Sequence, residues 1–274
     1  MILKILRSTF LPLIFMFCVV TASAGDKSGI FLVSPMFGNI KSDIKYTSPG
    51  TGGTNTLSDS GPISALMMMY TCPEYTLGSM FHFSKLNNST ENGYMFYGLY
   101  YFNKEADIRP MLGFYADYIN VFTKMPAKDI APLLSLNVNT SIWAFHPIAG
   151  VQFKVYKQKI TPFIGYFNEQ VETSMTSEGM LIAGQIRNGF SANSSVSIDY
   201  MTVGVKAEFK ITHFIRFDTK VYARLKNGES PLFTTRNRLD FLLSRQLGIS
   251  VKYDYFNDKY ETNSFLLIGP VFVF

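Results

Sequence analysis

Ile215-Arg216-Phe217-Asp218-Thr219-Lys220-Val221-Tyr222-Ala223-Arg224-Leu225 is the stretch whose reading decides the fold. Ile215, Phe217, Val221, Ala223 and Leu225 fall on one face, with Thr219 the only hydroxyl among them. Arg216, Asp218, Lys220, Tyr222 and Arg224 fall on the other. A period of two marks a strand whose faces meet different surroundings. In a soluble sheet the apolar face would cover a core. In a membrane barrel it faces lipid, where an Arg or Lys near the midplane costs roughly 2–4 kcal/mol, and the charged face looks into the lumen.

The neighbouring segments follow the same rule. Met201, Val203, Val205, Ala207 and Phe209 read outward against inward Lys206, Glu208 and Lys210. Leu239, Phe241 and Leu243 oppose Arg236, Arg238 and Asp240, and Ile249, Val251, Tyr253 and Tyr255 oppose Ser250, Lys252 and Asp254. The inward set therefore holds eight cations (Lys206, Lys210, Arg216, Lys220, Arg224, Arg236, Arg238, Lys252) against four anions (Glu208, Asp218, Asp240, Asp254), an excess of +4 along one wall. Earlier segments are less charged, with Arg109 and Asp117 among the few inward charges. Met67, Met68, Met69, Tyr97 and Tyr101 are expected to make the opposite wall oily or aromatic.

Period-two or aromatic and β-branched segments number twelve, near 30–46, 63–71, 75–85, 93–103, 109–123, 141–156, 160–173, 198–210, 214–226, 236–243, 247–256 and 262–274. The connections after the even strands, 72–74, 104–108, 157–159, 211–213 and 244–246, are short. Most of those after the odd strands, such as 47–62, 124–140 and 174–197, are long and rich in Gly, Ser, Thr or Asn. Short periplasmic turns and long outer loops are what an up-and-down transmembrane barrel shows, and a sandwich has no reason to sort its loops this way. With both chain ends on the short-turn side the count is even: twelve is expected, with ten or fourteen as the alternatives. An extra outer hairpin is expected around Met180–Ile186.

The chain is 47% hydrophobic, yet after residue 24 it holds no apolar run of the ~20 residues that a spanning helix needs. Residues 1–24 carry Lys4 and Arg7, an apolar run from Phe10 to Val20, and Ala22-Ser23-Ala24 before Gly25. These are the three parts of a cleaved secretory signal, leaving 25–274 as one barrel domain. Its loss lowers the formal net charge from +5 to +3, too mild for a nucleic-acid binder. It also leaves Cys72 as the single cysteine, read as a turn residue. His146 and His213 are isolated, and no cofactor or metal is implied.

The C-terminal stretch Ser264–Phe274 alternates apolar residues and ends on an aromatic. With Phe274, Phe272, Ile268 and Leu266 in register, it resembles the last strand of Gram-negative outer-membrane β-barrel proteins, although Pro270 departs from their pattern. The resemblance implies Sec-dependent export, reading of the final strand by the barrel assembly machinery, and residence in outer-membrane lipid. The run Leu247–Tyr255, a short acidic loop and Thr262 are also similar to the salt-induced outer-membrane barrel family of unknown function. His82-Phe83-Ser84 resembles the His-x-Ser pair of outer-membrane lipid acyl hydrolases, in which His activates Ser. Lys85 and Leu86 depart from that motif, no orienting acid stands beside His82 in the sequence, which leaves one from another strand as the alternative, and alternation turns both residues toward the lumen.

The expected function is a passive channel or uptake barrel whose basic wall draws in small anionic solutes. A closed, ion-paired interior that serves as a structural or adhesin-like barrel through its outer loops is the alternative. N-terminal sequencing of the exported protein is expected to begin at Gly25; a start at Met1 would show that the leader is retained.

Overall fold

The computed structural model describes residues 29–47, 54–103, 105–126, 135–182, 185–257 and 261–274. The expected signal segment 1–24 lies outside them. Twelve strands close into one antiparallel barrel: Ile30–Thr47 (β1), Thr54–Thr71 (β2), Tyr75–Lys85 (β3), Ser89–Tyr101 (β4), Ile108–Pro126 (β5), Ser135–Val155 (β6), Gln158–Ser177 (β7), Ser191–Lys210 (β10), Ile215–Leu225 (β11), Leu232–Leu242 (β12), Leu247–Asn257 (β13) and Glu261–Val273 (β14). Between β7 and β10, Gly179–Ile182 (β8) and Gln185–Asn188 (β9) pair as a separate two-stranded hairpin, at the place the sequence suggested.

The even-numbered connections of the barrel are tight. Tyr156-Lys157 alone joins β6 to β7, with Tyr156 at φ 55, the left-handed conformation that a two-residue hairpin turn demands. Cys72 sits in the turn between β2 and β3, where its N–H donates to Tyr75 O at 2.9 Å. On the opposite side the strands run further than alternation implied. The β1–β2 ladder continues to Thr47 opposite Thr54, β6 pairs with β7 as far as Leu136 opposite Ser177, and β10 joins β7 from Ser191 onward. Residues 54–62, 135–140, 174–177 and 191–197 are thus strand where the sequence read as loop. Water surrounds both faces of a strand outside the bilayer, so most of these segments are polar on both sides, although Leu136 and Val138 still alternate with Ser135, Asn137 and Asn139.

Within the membrane band the two faces separate. Met201, Val203, Val221 and Ile249 are 56%, 48%, 46% and 41% exposed toward the lipid, whereas Lys220, Arg224, Ser250 and Asp254 are 6%, 4%, 0% and 1% exposed. Met67 and Met69 line the lumen, but Met68 lies between them on the lipid face, a correction to the oily inner wall drawn from all three methionines. Exposed aromatics gather near both rims, with Trp143 and Phe122 toward the loops and Tyr100, Phe102 and Phe214 toward the turns. This is the girdle arrangement of membrane barrels. One polar row interrupts the outer face: Thr219 donates to Asn237 at 2.7 Å and Asn237 to Thr235 at 2.9 Å, so these groups satisfy one another.

Closure joins β1 to β14. At its lower end Phe31 and Phe274 exchange backbone hydrogen bonds of 3.0 and 2.8 Å. Phe274, Phe272, Ile268 and Leu266 all point outward, 74%, 38%, 55% and 53% exposed. The ladder lapses between Val33 opposite Phe272 and Phe37 opposite Ile268. Pro35 and Pro270 face one another in that gap, and neither has an N–H to give. Ser34 Oγ donates to Pro270 O at 2.8 Å instead. Beside the gap, a Cβ added to Gly269 would lie 1.9 Å from Pro35 O, so the two backbones meet there only because the residue is glycine.

Val221→Arg is expected to lower the unfolding free energy of the vesicle-inserted barrel by about 2–4 kcal/mol. Urea titration in lipid vesicles measures it, and a neutral effect would place Val221 off the lipid face.

Candidate functional site

The inward residues of β10 to β13 stack in layers fixed by register. Lys210, Arg216, Asp240 and Ser250 form the lowest layer, and Glu208, Asp218, Arg238 and Lys252 the next. Lys206, Lys220, Arg236 and Asp254 lie above them, and Gly204, Tyr222, Thr234 and Phe256 above those. Like charges directly opposite one another are destabilising, and the layers relieve this by pairing along β10, β12 and β13. Lys206 contacts Glu208, Lys252 contacts Asp254, and Arg238 grips Asp240 in a bidentate pair at 2.6 and 2.8 Å. Lys159, from the start of β7, adds a second cation on Glu208 at 3.1 Å.

The basic wall also leans across the lumen. Arg236 Nη2 reaches Asp117 on β5 at 3.2 Å, and its Nη1 touches Met95 of β4. Lys206 Nζ lies 3.5 Å from the Tyr101 hydroxyl, and Arg238 Nη1 lies 4.0 Å from Met69 Sδ. Lys220 behaves differently. Its ammonium rests 3.2 Å from the Tyr115 ring centroid, 4.6 Å from Tyr222 and 5.3 Å from Phe163. Cation–π contact offsets part of the cost of burying this charge, but among the described residues no carboxylate pairs with it.

Among the described residues, two cavities meet at these cross-lumen contacts. The lower, about 310 Å³, reaches the turn-side mouth. Seven of the eight sequence-selected cations line it: Lys206, Lys210, Arg216, Lys220, Arg236, Arg238 and Lys252. Lys157 and Lys159 join them, against the carboxylates of Glu208, Asp218 and Asp254. Arg224 is not with this group. It lines the upper cavity of about 280 Å³, where its guanidinium lies 3.8 Å from Glu169. Asp240 lies under the Arg238 guanidinium rather than on a cavity wall. Met95, Arg236 and Asp254 border both cavities and form the waist between them.

Alternation in β7 carries Lys159 inward with Thr161 and Phe163, a signal present in the sequence but not used. Glu169 and Glu91 became relevant only through partners on other strands. An acid from another strand accompanies His82: Glu91 of β4, which stands opposite Ser84, lies 2.8 Å from Nε2. His82, Ser84 and Glu91 are all buried inside the barrel, away from the bilayer that a lipid hydrolase would work on. His146 bonds Thr202 at 2.8 Å and packs on Tyr222 at 5.2 Å.

No protein-family model matches the chain, and no curated protein matches it. Among solved structures it is similar over 97% of both chains to the translocator domain of autotransporter NalP from Neisseria meningitidis, at 11% identity and TM-score 0.51. It also aligns with a TodX mutant described as a monoaromatic hydrocarbon channel (6% identity, 93% of this chain and 92% of that one, TM-score 0.45). The KdgM porin aligns at 9% identity, over 87% and 99%, with TM-score 0.42. The fold is that of the outer-membrane β-barrels.

Arg238→Ala should remove about 3–5 kcal/mol of stability by stranding the buried Asp240 carboxylate. Arg238→Met with Asp240→Asn should recover much of that loss, and urea unfolding of the single and paired variants measures the coupling.

Proposed function

We propose that the chain is exported through Sec, inserted into the outer membrane of a Gram-negative cell by the barrel assembly machinery, and forms a gated passage for small anionic solutes. The observation that carries this reading is the layer Lys206–Lys220–Arg236. Three cations stand side by side across three strands, and the middle one rests on aromatic rings with no carboxylate paired to it among the described residues. A row of like charges in a narrow lumen costs stability, and a passing anion relieves it. The nine cations of the lower cavity raise the local concentration of such anions at the turn-side mouth.

The waist supports gating rather than a permanently open pore. Arg236 spans from β12 to Asp117 on β5, so movement of one guanidinium and the flexible Met95 thioether would join the two cavities. The reading leaves the outer extensions of β6, β7 and β10 as a rim around the upper mouth.

Reconstituted into planar bilayers, the protein should show infrequent, anion-preferring openings. Arg236→Ala should make openings longer and more frequent, and Lys220→Met should reduce the chloride-over-potassium preference by roughly tenfold, the low end of electrostatic focusing. Absence of conductance steps in both the native protein and Arg236→Ala, or a preference for cations, would overturn the proposal.

A further inference from the structure

The upper cavity spends its charges internally. Glu91 is engaged by His82, Glu169 by Arg224, Asp117 by Arg236 and Asp254 by Lys252. What remains for a solute is mainly apolar surface, from Ile40, Ile119, Ile142, Phe167, Val171 and Phe265, with Tyr94, Thr140 and Asn263 Oδ1, unpartnered among the described residues, as its polar exceptions. Ile119 and Ile142 stand opposite one another on β5 and β6, while Phe265 comes from β14 across the barrel. A dry apolar cavity of ~150 Å³ already takes up benzene, and this one measures about 280 Å³. Its floor is the waist, and immediately beneath lies the cation layer whose central member, Lys220, has no carboxylate partner among the described residues.

From this stacking we infer that the solute is an amphipathic monocarboxylate, a single ring or short chain bearing one carboxylate. Its apolar body occupies the upper cavity and its carboxylate meets Arg236 and Lys220 at the waist. The inference rests on the anion-passage reading above and narrows its substrate class. An inorganic anion leaves the apolar walls unused. A neutral hydrocarbon leaves Lys220 uncompensated, and a cation meets a row of like charge. A carboxylate also suits Arg236 geometrically, because a planar guanidinium accepts it through two parallel N–H donors in competition with Asp117.

The test uses the full mature barrel in lipid nanodiscs and isothermal titration calorimetry with benzoate, acetate and benzyl alcohol, with empty nanodiscs correcting for partition into lipid. Benzoate should bind at least tenfold more tightly than either of the others, equivalent to about 1.4 kcal/mol. Ile119→Asn with Ile142→Asn should erase its advantage over acetate, and Lys220→Met its advantage over benzyl alcohol. Benzoate binding no tighter than acetate, or no tighter than benzyl alcohol, overturns the inference. Should the double isoleucine variant fail to fold, the three probes on the native protein still decide. Anion-selective conductance without a benzoate advantage refutes the inference and leaves the passage standing. Benzoate binding without conductance does the reverse.

Discussion

Inside hydrocarbon a backbone N–H or C=O has no water to fall back on, and everything else in this molecule follows from that constraint. A sheet meets it only by having no edge, so β14 must return to β1. With antiparallel neighbours throughout, an even number of strands brings both ends to the same rim. The pairing is not uniform. Where Pro35 meets Pro270 the seam loses ladder bonds and recovers one through Ser34 Oγ. Close backbone approach at Gly269 accompanies this gap, and the aromatic clasp of Phe31 and Phe274 secures the lower end of the seam.

Closure then dictates what the inside must do. Every second residue of twelve strands is directed into a tube too narrow to hydrate each of them fully. The protein uses two solutions side by side. Around β1, β2, β3 and β14 it fills the space with Met36, Ile40, Met67, Met80 and Leu267. Along β10 to β13 it stacks charge, and it keeps the cost down by pairing along strands, by reaching across to Asp117, and by laying Lys220 on aromatic rings. The walls therefore touch, and the lumen becomes two cavities with a waist made of one arginine, one methionine and one aspartate.

The cavities differ in character because the excess of unpaired cations lies entirely below the waist. Above it the cavity carboxylates Glu91, Glu169 and Asp117 each have a partner, and the surface left over is mainly apolar. A passage built this way presents a solute with two environments in sequence, which is a basis for selectivity that a uniform basic pore lacks.

Sequence alone made twelve the expected strand count, with ten and fourteen as alternatives, and determined the faces of β10 to β14. Each of these follows from local periodicity set against a two-sided environment: lipid on one side of a strand and lumen on the other. It failed where that contrast disappears. The polar strand extensions above the membrane, such as Ser191–Ser197, carry no period and read as loops. Only the tertiary structure decided which inward charges meet. Arg236 finds Asp117 more than a hundred residues away, Glu91 reaches His82 from the next strand, Arg224 is separated from the other seven cations, and Lys220 rests on rings with no carboxylate paired to it among the described residues. Those outcomes depend on strand stagger and on which walls of a closed tube come into contact. No one-dimensional pattern encodes them, because register and closure bring together residues that the chain keeps apart.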